Sequence, residues 1–303
     1  MTIRRLLGPV VAAPVGLVVA PGIATAHQIT GRYESPLPLA AYLGGAAFAV
    51  ALSFAFVLSR PSAPAAPTAE RSGPGRTVKL PLAVRAALRA VGLLAWAWIV
   101  AQLLAGGSSE GDVASLFLWV YGWVGIALAS ALLFPIWRWL DPFLTIHDLL
   151  AVLLRRLGVG GWRPSPYPDA LGRWPAVAGF AVIVWLELAV PAARGGRFLA
   201  LALLAYTLVT LLGMAQFGRD AWRGHGETFS VWFSTLGRLA PLALVEGAPD
   251  GTLVRRRLAS GLAGAAWTAD RLVLVALAAG SVIFDGFSQT DVFFAWFGAP
   301  GPA

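Results

Sequence analysis

Cysteine is absent from this chain of 303 residues, and charged side chains are scarce. The lack of cysteine excludes disulfide bonds, thiolate metal sites and cysteine nucleophiles. Only 13% of the residues are charged, whereas a soluble domain has roughly 25%. Histidine occurs three times, and no HExxH, GxSxG, P-loop or dinucleotide-binding glycine pattern is present. The sequence therefore offers no recognisable catalytic constellation.

Long apolar runs are what the chain has instead, most clearly over residues 113–137 and 174–193. At about 1.5 Å per helical residue, about 20 apolar residues cross the roughly 30 Å of a bilayer's hydrocarbon core. Several such runs in series predict an all-α fold, a polytopic helical membrane bundle with the lipid bilayer as its partner. The net charge of +8 collects at the ends of these runs, which indicates membrane orientation and argues against nucleic-acid binding.

The N-terminal residues 1–26 are predicted to be a secretory signal peptide, because two arginines precede an apolar stretch that ends in Ala24-Thr25-Ala26. An uncleaved first helix is the alternative. In both cases the chain emerges outside at His27. Residues 27–303 are then expected to form a single helical membrane domain.

Five or six membrane spans are expected after this N-terminus, and a proline- and alanine-rich cytoplasmic linker over about residues 60–80 follows the first of them. The expected spans are about 37–58, 87–105, 113–137, 174–193, 198–217 and 272–284. The last is short and could extend to Phe297.

The basic residues fix a direction for these spans. If successive spans alternate, Arg32, Arg194 and Arg197 lie outside, and the other 20 of the 23 lysines and arginines lie inside. This uneven division is the positive-inside pattern. It predicts a multi-pass protein of the bacterial cytoplasmic membrane with residue 27 outside.

Two segments between spans are expected to be helices that do not cross. Asp141-Pro142 is typical of a helix start and Gly158 of a helix stop, and the residues between them are amphipathic, which predicts an interfacial helix. Residues 229–245 contain an arginine and a proline. They could form a re-entrant half-span buried among other helices or a second interfacial helix.

Two acidic residues in apolar surroundings are candidate intramembrane polar sites. A carboxylate such as Glu187 within a span is a functional hypothesis by default. It could carry protons, bind a cation, or pair with Arg194 or Arg197. Asp285 precedes a glycine and could mark a broken helix, although the outer end of the last span is the favoured interpretation.

The outer side offers two further candidates, and the catalytic residues of any enzyme activity stay unknown. Arg32, Tyr33 and Glu34 could form a polar lip over an outward cavity, or be an ordinary junction between polar and apolar segments. If cleavage exposes His27 as the first residue, its amine and imidazole could bind copper or another divalent metal with a ligand from a partner. The simpler interpretation is that His27 merely follows a signal peptide.

The segment Gly224-His225-Gly226-Glu227 contains one histidine and one acid between glycines. Two such residues fall short of a metal ligand set. A solvated loop is therefore expected here.

Short motifs spread over most of the chain carry a resemblance to a known family. They are His27 with Gly31-Arg32-Tyr33 and Pro36-Leu37-Pro38-Leu39; Tyr167-Pro168 with Leu171-Gly172-Arg173-Trp174-Pro175; Trp185-Leu186-Glu187-Leu188; Phe229-Ser230-Val231; and Phe284-Asp285-Gly286-Phe287-Ser288. In these the chain resembles a family of bacterial, largely actinobacterial, polytopic membrane proteins often labelled fenitrothion hydrolase. The resemblance implies that the protein cleaves an organophosphate triester. It also implies that relatives continue into further membrane spans beyond the last motif.

Three classes of function stay open at this point. A permease-like protein would use Glu187 and the outer lip as a path, and a copper-binding accessory protein would use His27. A membrane-bound phosphotriester hydrolase is what the resemblance implies. Transport or accessory function, with other membrane subunits as further partners, ranks slightly above an enzyme, because intramembrane polar groups are visible and a catalytic constellation is not.

Overall fold

The structure, a computed structural model, describes residues 48, 77–106, 113–159, 163–190, 196–245, 248, 250–263, 265–288 and 290–297. The chain divides into two units, Met1–Ala66 and Pro67–Ala303, and the helices and strands given below belong to the second. The predicted signal peptide, His27, the outer lip of Arg32, Tyr33 and Glu34, the first expected span and most of the linker lie outside the described residues.

Helices dominate the described part of the chain. They are α1 (Leu82–Ala105), α2 (Val113–Leu132), α3 (Trp137–Leu140), α4 (Pro142–Arg156), α5 (Trp174–Ala189), α6 (Gly196–Phe217), α7 (Arg219–His225), α8 (Thr228–Leu236), α9 (Ser260–Ala263), α10 (Ala269–Ser288) and α11 (Asp291–Phe297). The middle of α2, Phe117–Gly125, has π-helical hydrogen bonding. A single 3-10 turn, Asp169–Leu171, precedes α5.

Five of these helices, α1, α2, α5, α6 and α10, are long and apolar enough to cross a membrane. The predicted all-α polytopic helical bundle is therefore confirmed. The predicted spans differ from the helices mainly at their ends. The third expected span ends at Leu132, because Pro135 lies in the turn that separates α2 from α3.

The last expected span is longer than predicted. Helix α10 begins at Ala269 and continues without a break through Asp285 and Gly286 to Ser288. A broken helix at Asp285 is therefore wrong, and Asp285 lies in the final turn of α10, as the favoured interpretation expects. A separate helix, α11, begins at Asp291.

A small antiparallel sheet packs at one end of the helices, with strand order β1-β3-β2. Its strands are β1 (Thr77–Lys79), β2 (Leu242–Leu244) and β3 (Thr252–Arg255). Val78 lies opposite Leu253, and Leu244 lies opposite Leu253 on the other side. The end of the predicted linker thus forms a strand, which the proline-rich composition did not predict.

Pairs of contacts fix how the long helices run. Arg197 donates to the carbonyl of Leu104, and the indole Nε1 of Trp96 donates to Thr207, so α1 and α6 are antiparallel. The amide of Arg173, before α5, donates to the carboxylate of Asp270 at the start of α10, so α5 and α10 are parallel. Both observations agree with spans that alternate along the chain.

Three buried apolar clusters hold the helices together. One joins α1, α2 and α6, a second joins α5, α8 and α10, and a third joins α3, α4, α6 and α8. Many other apolar side chains of the long helices are exposed, including Leu94, Val182, Leu212 and Ile283. A surface of this kind is stable where lipid covers it, so it is compatible with contact to a bilayer.

Helix α4 forms as its sequence predicts. The carboxylate of Asp141 accepts the amide of Leu144 at 3.0 Å, Pro142 is the first helical residue, and Gly158 adopts a positive φ of 74° after the end. These are the expected N-cap, first-turn proline and glycine stop. The helix is amphipathic and leaves Leu149 and Leu153 exposed.

The ambiguous segment 229–245 is resolved into a short buried helix followed by a strand. Within α8, Val231 is 2% exposed and Phe233 is fully buried. A second interfacial helix would leave one face in contact with headgroups, so that alternative is wrong. The buried half-helix is the interpretation that fits.

Helices α3 and α8 reach deep between the longer helices. A Cβ added to Gly92, near the middle of α1, would lie 1.8 Å from the carbonyl oxygen of Leu140. The amide of Thr228 donates to the hydroxyl of Tyr206, midway along α6. The end of α3 and the start of α8 are thus level with the middle of two long helices, and this placement builds the site described next.

Candidate functional site

The two acids predicted as intramembrane sites lie at the same end of the bundle. Because α5 and α10 run parallel, Glu187 and Asp285 near their C-terminal ends are close enough to interact electrostatically. Glu187 is half-buried and Asp285 is exposed. Arg197, one of the two predicted partners of Glu187, donates to the carbonyl of Leu104, and Arg194 lies outside the described residues.

The expectation of a solvated loop around His225 and Glu227 is wrong. His225 is the last residue of α7, and its ring stacks on Tyr167 with centroids 5.0 Å apart. Glu227 is only 1% exposed. The two glycines of this segment suggested an open loop, but Gly226 permits close packing. A Cβ on Gly226 would lie 2.4 Å from the ring of Trp222.

The buried Glu227 carboxylate is the N-cap of α8. One oxygen accepts the amide of Phe229 at 3.0 Å and the other accepts the amide of Ser230 at 2.6 Å. The hydroxyl of Tyr206 on α6 also donates to this carboxylate. A helix N-terminus favours a carboxylate there, because its first amides have no partner within the helix.

A second buried carboxylate, Asp141, is paired with an arginine. The Nε of Arg223 on α7 donates to Asp141 at 2.8 Å, and the two side chains are 9% and 0% exposed. Asp141 also caps α4, so one carboxylate joins three elements: the turn after α3, α4 and α7. Asp141 and Glu227 interact electrostatically, so the two buried acids belong to one centre.

Burial governs the ionisation of this centre. Burial raises the pKa of Glu227, and the negative charge of Asp141 raises it further. Burial also raises the pKa of Asp141, although the charge of Arg223 opposes this. Among the described residues the hydrogen-bond partners of Glu227 are neutral donors, whereas Asp141 is paired with a guanidinium group.

A charged cleft opens to solvent directly above the buried centre. Its volume is about 170 Å³. Four arginines and three aspartates dominate its lining, which comprises Arg89, Arg138, Trp139, Leu144, Asp148, Arg219, Asp220, Arg223 and Asp250. Arg223 belongs to both layers, because it lines the cleft and binds Asp141.

Two aspartates organise the arginines at the rim of the cleft. Asp148 accepts from Arg89 at 2.5 Å and from Arg219 at 2.9 Å. Asp250 accepts from Arg138 at 3.2 Å, and from Arg85 at 2.6 Å. Each acid therefore holds two guanidinium groups in place.

The rim aspartates are ionised more firmly than the buried acids. Burial alone would raise the pKa of Asp148, but hydrogen bonds and charges from Arg89 and Arg219 outweigh it and lower the pKa. The same balance, with Arg138 and Arg85 as partners, lowers the pKa of Asp250. The pKa values of the rim aspartates are thus lowered, whereas those of the two buried acids are raised.

No group of three or more histidine, cysteine, aspartate or glutamate side chains that could hold a metal occurs in the part of the chain that the structure describes. The copper prediction for His27 lies outside that part and stays a prediction. The same is true of the outer lip formed by Arg32, Tyr33 and Glu34.

Comparisons of the chain with protein-family models, with curated proteins and with solved structures found no match. The site geometry therefore carries the functional argument alone.

Sequence reasoning missed most of this site. Asp141 was expected only as a helix cap, Glu227 only as part of a loop, and Arg223 was not singled out. One signal was available in α6, where Leu203, Thr207, Thr210 and Met214 recur every three or four residues and are all buried. Tyr206 lies beside that stripe and reaches the buried centre.

Proposed function

We propose that this chain is a permease-like membrane protein in which Asp141, Arg223 and Glu227 form a proton-binding centre beneath a solute-binding cleft. The observation that carries the proposal is that Arg223 binds the buried carboxylate of Asp141 and also lines a cleft that is open to solvent. If Asp141 and Glu227 served only as helix caps, no arginine that lies between the buried centre and the cleft would be required.

Charge balance gives the centre its chemistry. Two carboxylates and one guanidinium are buried together, and an unpaired buried charge is costly. The group is neutral when Asp141 and Arg223 are ionised and Glu227 carries a proton. Loss of that proton leaves one uncompensated negative charge, so the centre holds its proton until the surrounding charges change.

Solute binding in the cleft supplies such a change. An anion above Arg223 shares the positive charge that compensates Asp141, so the buried acids then favour a proton more strongly. Two sites that bias each other in this way are coupled reciprocally, because a bound proton also strengthens anion binding. The proposal therefore predicts that an anion and a proton move in the same direction.

The test is solute-driven proton movement in proteoliposomes that enclose a pH-sensitive dye. The full chain is given gradients of small anions in both orientations: phosphate, sulfate, carboxylates and amino acids. At least one anion is expected to drive acidification on the side that it enters. Glu227→Gln, which keeps the size of the side chain and one cap acceptor but cannot exchange a proton, is expected to abolish it, whereas Asp169→Asn at an exposed acid outside the cleft is not. Folded wild-type protein that moves no protons with any of these anions would overturn the proposal.

Glu187 and Asp285 extend this proposal to the opposite end of α5. Two acids close together at that end are suited to receive protons that leave the bundle, which is one of the roles that the sequence left open for Glu187. Replacing Glu187 by glutamine is expected to slow proton movement without changing solute binding in the cleft, and equal rates would remove it from the path.

The fenitrothion hydrolase resemblance and the copper-accessory role stay predictions. Hydrolases of such triesters ordinarily activate water with several ligands around one or two metals. The described residues offer no ligand group of that size. No contact in that part of the chain favours either role over the permease-like one.

A further inference from the structure

The arginines of the cleft have hydrogen-bond donors to spare. A guanidinium group has five N–H donors. Among the described residues, the side-chain bonds of Arg138 and Arg223 are made by their Nε atoms, to Asp250 and Asp141. The Nη groups of both arginines are then left for a ligand inside the cleft.

These donors are fixed in place before any ligand arrives. Arg223 is held at the floor by a buried carboxylate, and Arg138 and Arg219 are held at the rim by Asp250 and Asp148. Preorganised donors bind more tightly, because less side-chain freedom is lost on binding. Guanidinium groups arranged in this way match the oxygens of phosphate, which they bind in bidentate fashion.

Size and charge narrow the choice of ligand. A cleft of about 170 Å³ corresponds to about six water molecules at roughly 30 Å³ each. That space suits a small oxyanion or a single phosphate group. With Asp141 behind Arg223 and Arg85 beside Asp250 included, five arginines are set against four aspartates, so one positive charge is in excess and an anion improves the charge balance.

We propose that the cleft binds a phosphate group, with Arg223 at its floor and Arg138 and Arg219 at its rim. The phosphate belongs either to inorganic phosphate or to the headgroup of a lipid with a phosphomonoester. This inference deepens the proposed function by naming the class of solute at the same site. It concerns binding, which is measured independently of transport.

The first experiment is calorimetric titration of the detergent-purified full chain with inorganic phosphate at constant ionic strength. Saturable binding is expected, and chloride is expected to give none. Arg138→Gln and Arg219→Gln are each expected to weaken phosphate binding about tenfold, since one charged hydrogen bond contributes roughly 1.5–3 kcal/mol and 1.4 kcal/mol is tenfold. Arg155→Gln, an exposed arginine of α4 outside the cleft, is the matched control.

Arg223 needs a gentler substitution, because removing its charge leaves Asp141 buried and unpaired. Arg223→Lys keeps the charge but loses the planar fork of donors. A double variant, Asp141→Asn with Arg223→Gln, removes both charges together. Both variants are expected to fold and to bind phosphate at least tenfold more weakly than the wild type.

A second arm separates the two sources of phosphate. The full chain is placed in nanodiscs of phosphatidylcholine alone or with phosphatidic acid, and phosphate binding is measured again. A lipid ligand predicts that phosphatidic acid competes with phosphate in the wild type and not in Arg138→Gln. Equal phosphate binding in both nanodiscs identifies the soluble ion as the ligand, and either result supports the phosphate site.

The inference is overturned if phosphate does not bind saturably and phosphatidic acid is not preferred. It is also overturned if binding is unchanged in Arg138→Gln, Arg219→Gln and Arg223→Lys. Phosphate binding without any proton movement would keep this site and remove the transport proposal. Proton movement driven by another anion, with no phosphate binding, would remove this site and keep the transport proposal.

Discussion

The two ends of the helical bundle treat their acids differently. At the cleft end, Asp141, Asp148 and Asp250 each accept hydrogen bonds from arginine, at distances between 2.5 and 3.2 Å. At the other end, Glu187 and Asp285 interact electrostatically, and Arg197 donates to a backbone carbonyl. The contrast teaches that, among the described residues, the ion pairs of arginine with aspartate collect at the cleft end, whereas Glu187 and Asp285 have none.

The contrast extends to packing. The cleft end contains three short helices and a small sheet wedged between long helices, whereas the end of α10 projects largely exposed residues. Only 6% of the apolar window of α10 is buried inside the protein, against 39% for α6. Substitutions at the cleft end should therefore be the costly ones, and the following predictions test that from the largest effect to the smallest.

The largest effect is expected from breaking the buried ion pair. Asp141→Ala leaves Arg223 buried without its carboxylate and also removes the cap of α4. The expected loss is about 3–5 kcal/mol of unfolding free energy, measured by denaturant or thermal unfolding in detergent. A loss below about 1 kcal/mol, the range of an exposed pair, would mean that the Asp141–Arg223 pair is solvated.

A smaller effect is expected from filling the close approach of α1 to α3. Gly92→Ala places a methyl group against the backbone of Leu140, which cannot move like a side chain, and overpacking of this kind costs about 1–3 kcal/mol. Gly280→Ala on α10 is the control, since nothing lies within 4 Å of its Cβ position. Gly280→Ala should be neutral or slightly stabilising, because alanine favours helix over glycine by about 1 kcal/mol. Equal losses in both variants would contradict the close packing of α1 against α3.

The pH dependence of stability should reveal the protonated acid. Because the pKa of Glu227 is raised in the folded protein above its ordinary 4.5, its contribution is fully present below 4.5 and is lost as pH rises through the folded pKa. Glu227→Gln is expected to remove that fall in the unfolding temperature. If the wild type and Glu227→Gln gave parallel profiles of unfolding temperature against pH, the group that causes the fall would not be Glu227.

The rim aspartates should respond in the opposite sense. The pKa of Asp148 is lowered below its ordinary 3.8, so its contribution is present above 3.8 and is lost as pH falls through the folded pKa. Asp148→Asn is expected to flatten the acid limb of the profile without altering the limb assigned to Glu227. A change in the part of the profile assigned to Glu227 would show that Asp148 and Glu227 titrate together.

The smallest effect is expected at the opposite end. Asp285→Asn changes an exposed side chain without an arginine partner among the described residues, and surface charges of this kind contribute about 0–1 kcal/mol. Removing its negative charge should leave the unfolding temperature within error or raise it slightly, since Glu187 is relieved of a repulsive neighbour. A loss as large as that of Asp141→Ala would erase the contrast.

Local pattern predicted much of the fold. The apolar runs predicted the membrane-spanning helices of the described region, and Asp141, Pro142 and Gly158 predicted the limits of α4, because caps act through atoms only a few residues away. The end of α2 was misplaced since its apolar composition continues past Pro135. The sheet was missed because its strands come from segments about 175 residues apart that show no alternation of their own.

The candidate site was predicted far less well, for a physical reason. Glu227 and His225 between glycines are typical of a loop, and nothing within that segment shows that Trp222 and Tyr206 will enclose them. Arg223 binds Asp141 across 82 residues of sequence. A contact between distant segments has no periodicity or spacing that a local pattern can display.

The sequence by itself determined that the described part of the chain contains helices long and apolar enough to cross a membrane, since this follows from the length and composition of the apolar runs. Tertiary structure alone decided that Asp141 pairs with a buried arginine beneath an open cleft, close enough to the buried Glu227 to interact electrostatically. Burial and pairing are properties of neighbours in space, and folding brings those neighbours from α3, α4, α6, α7 and α8 to one place.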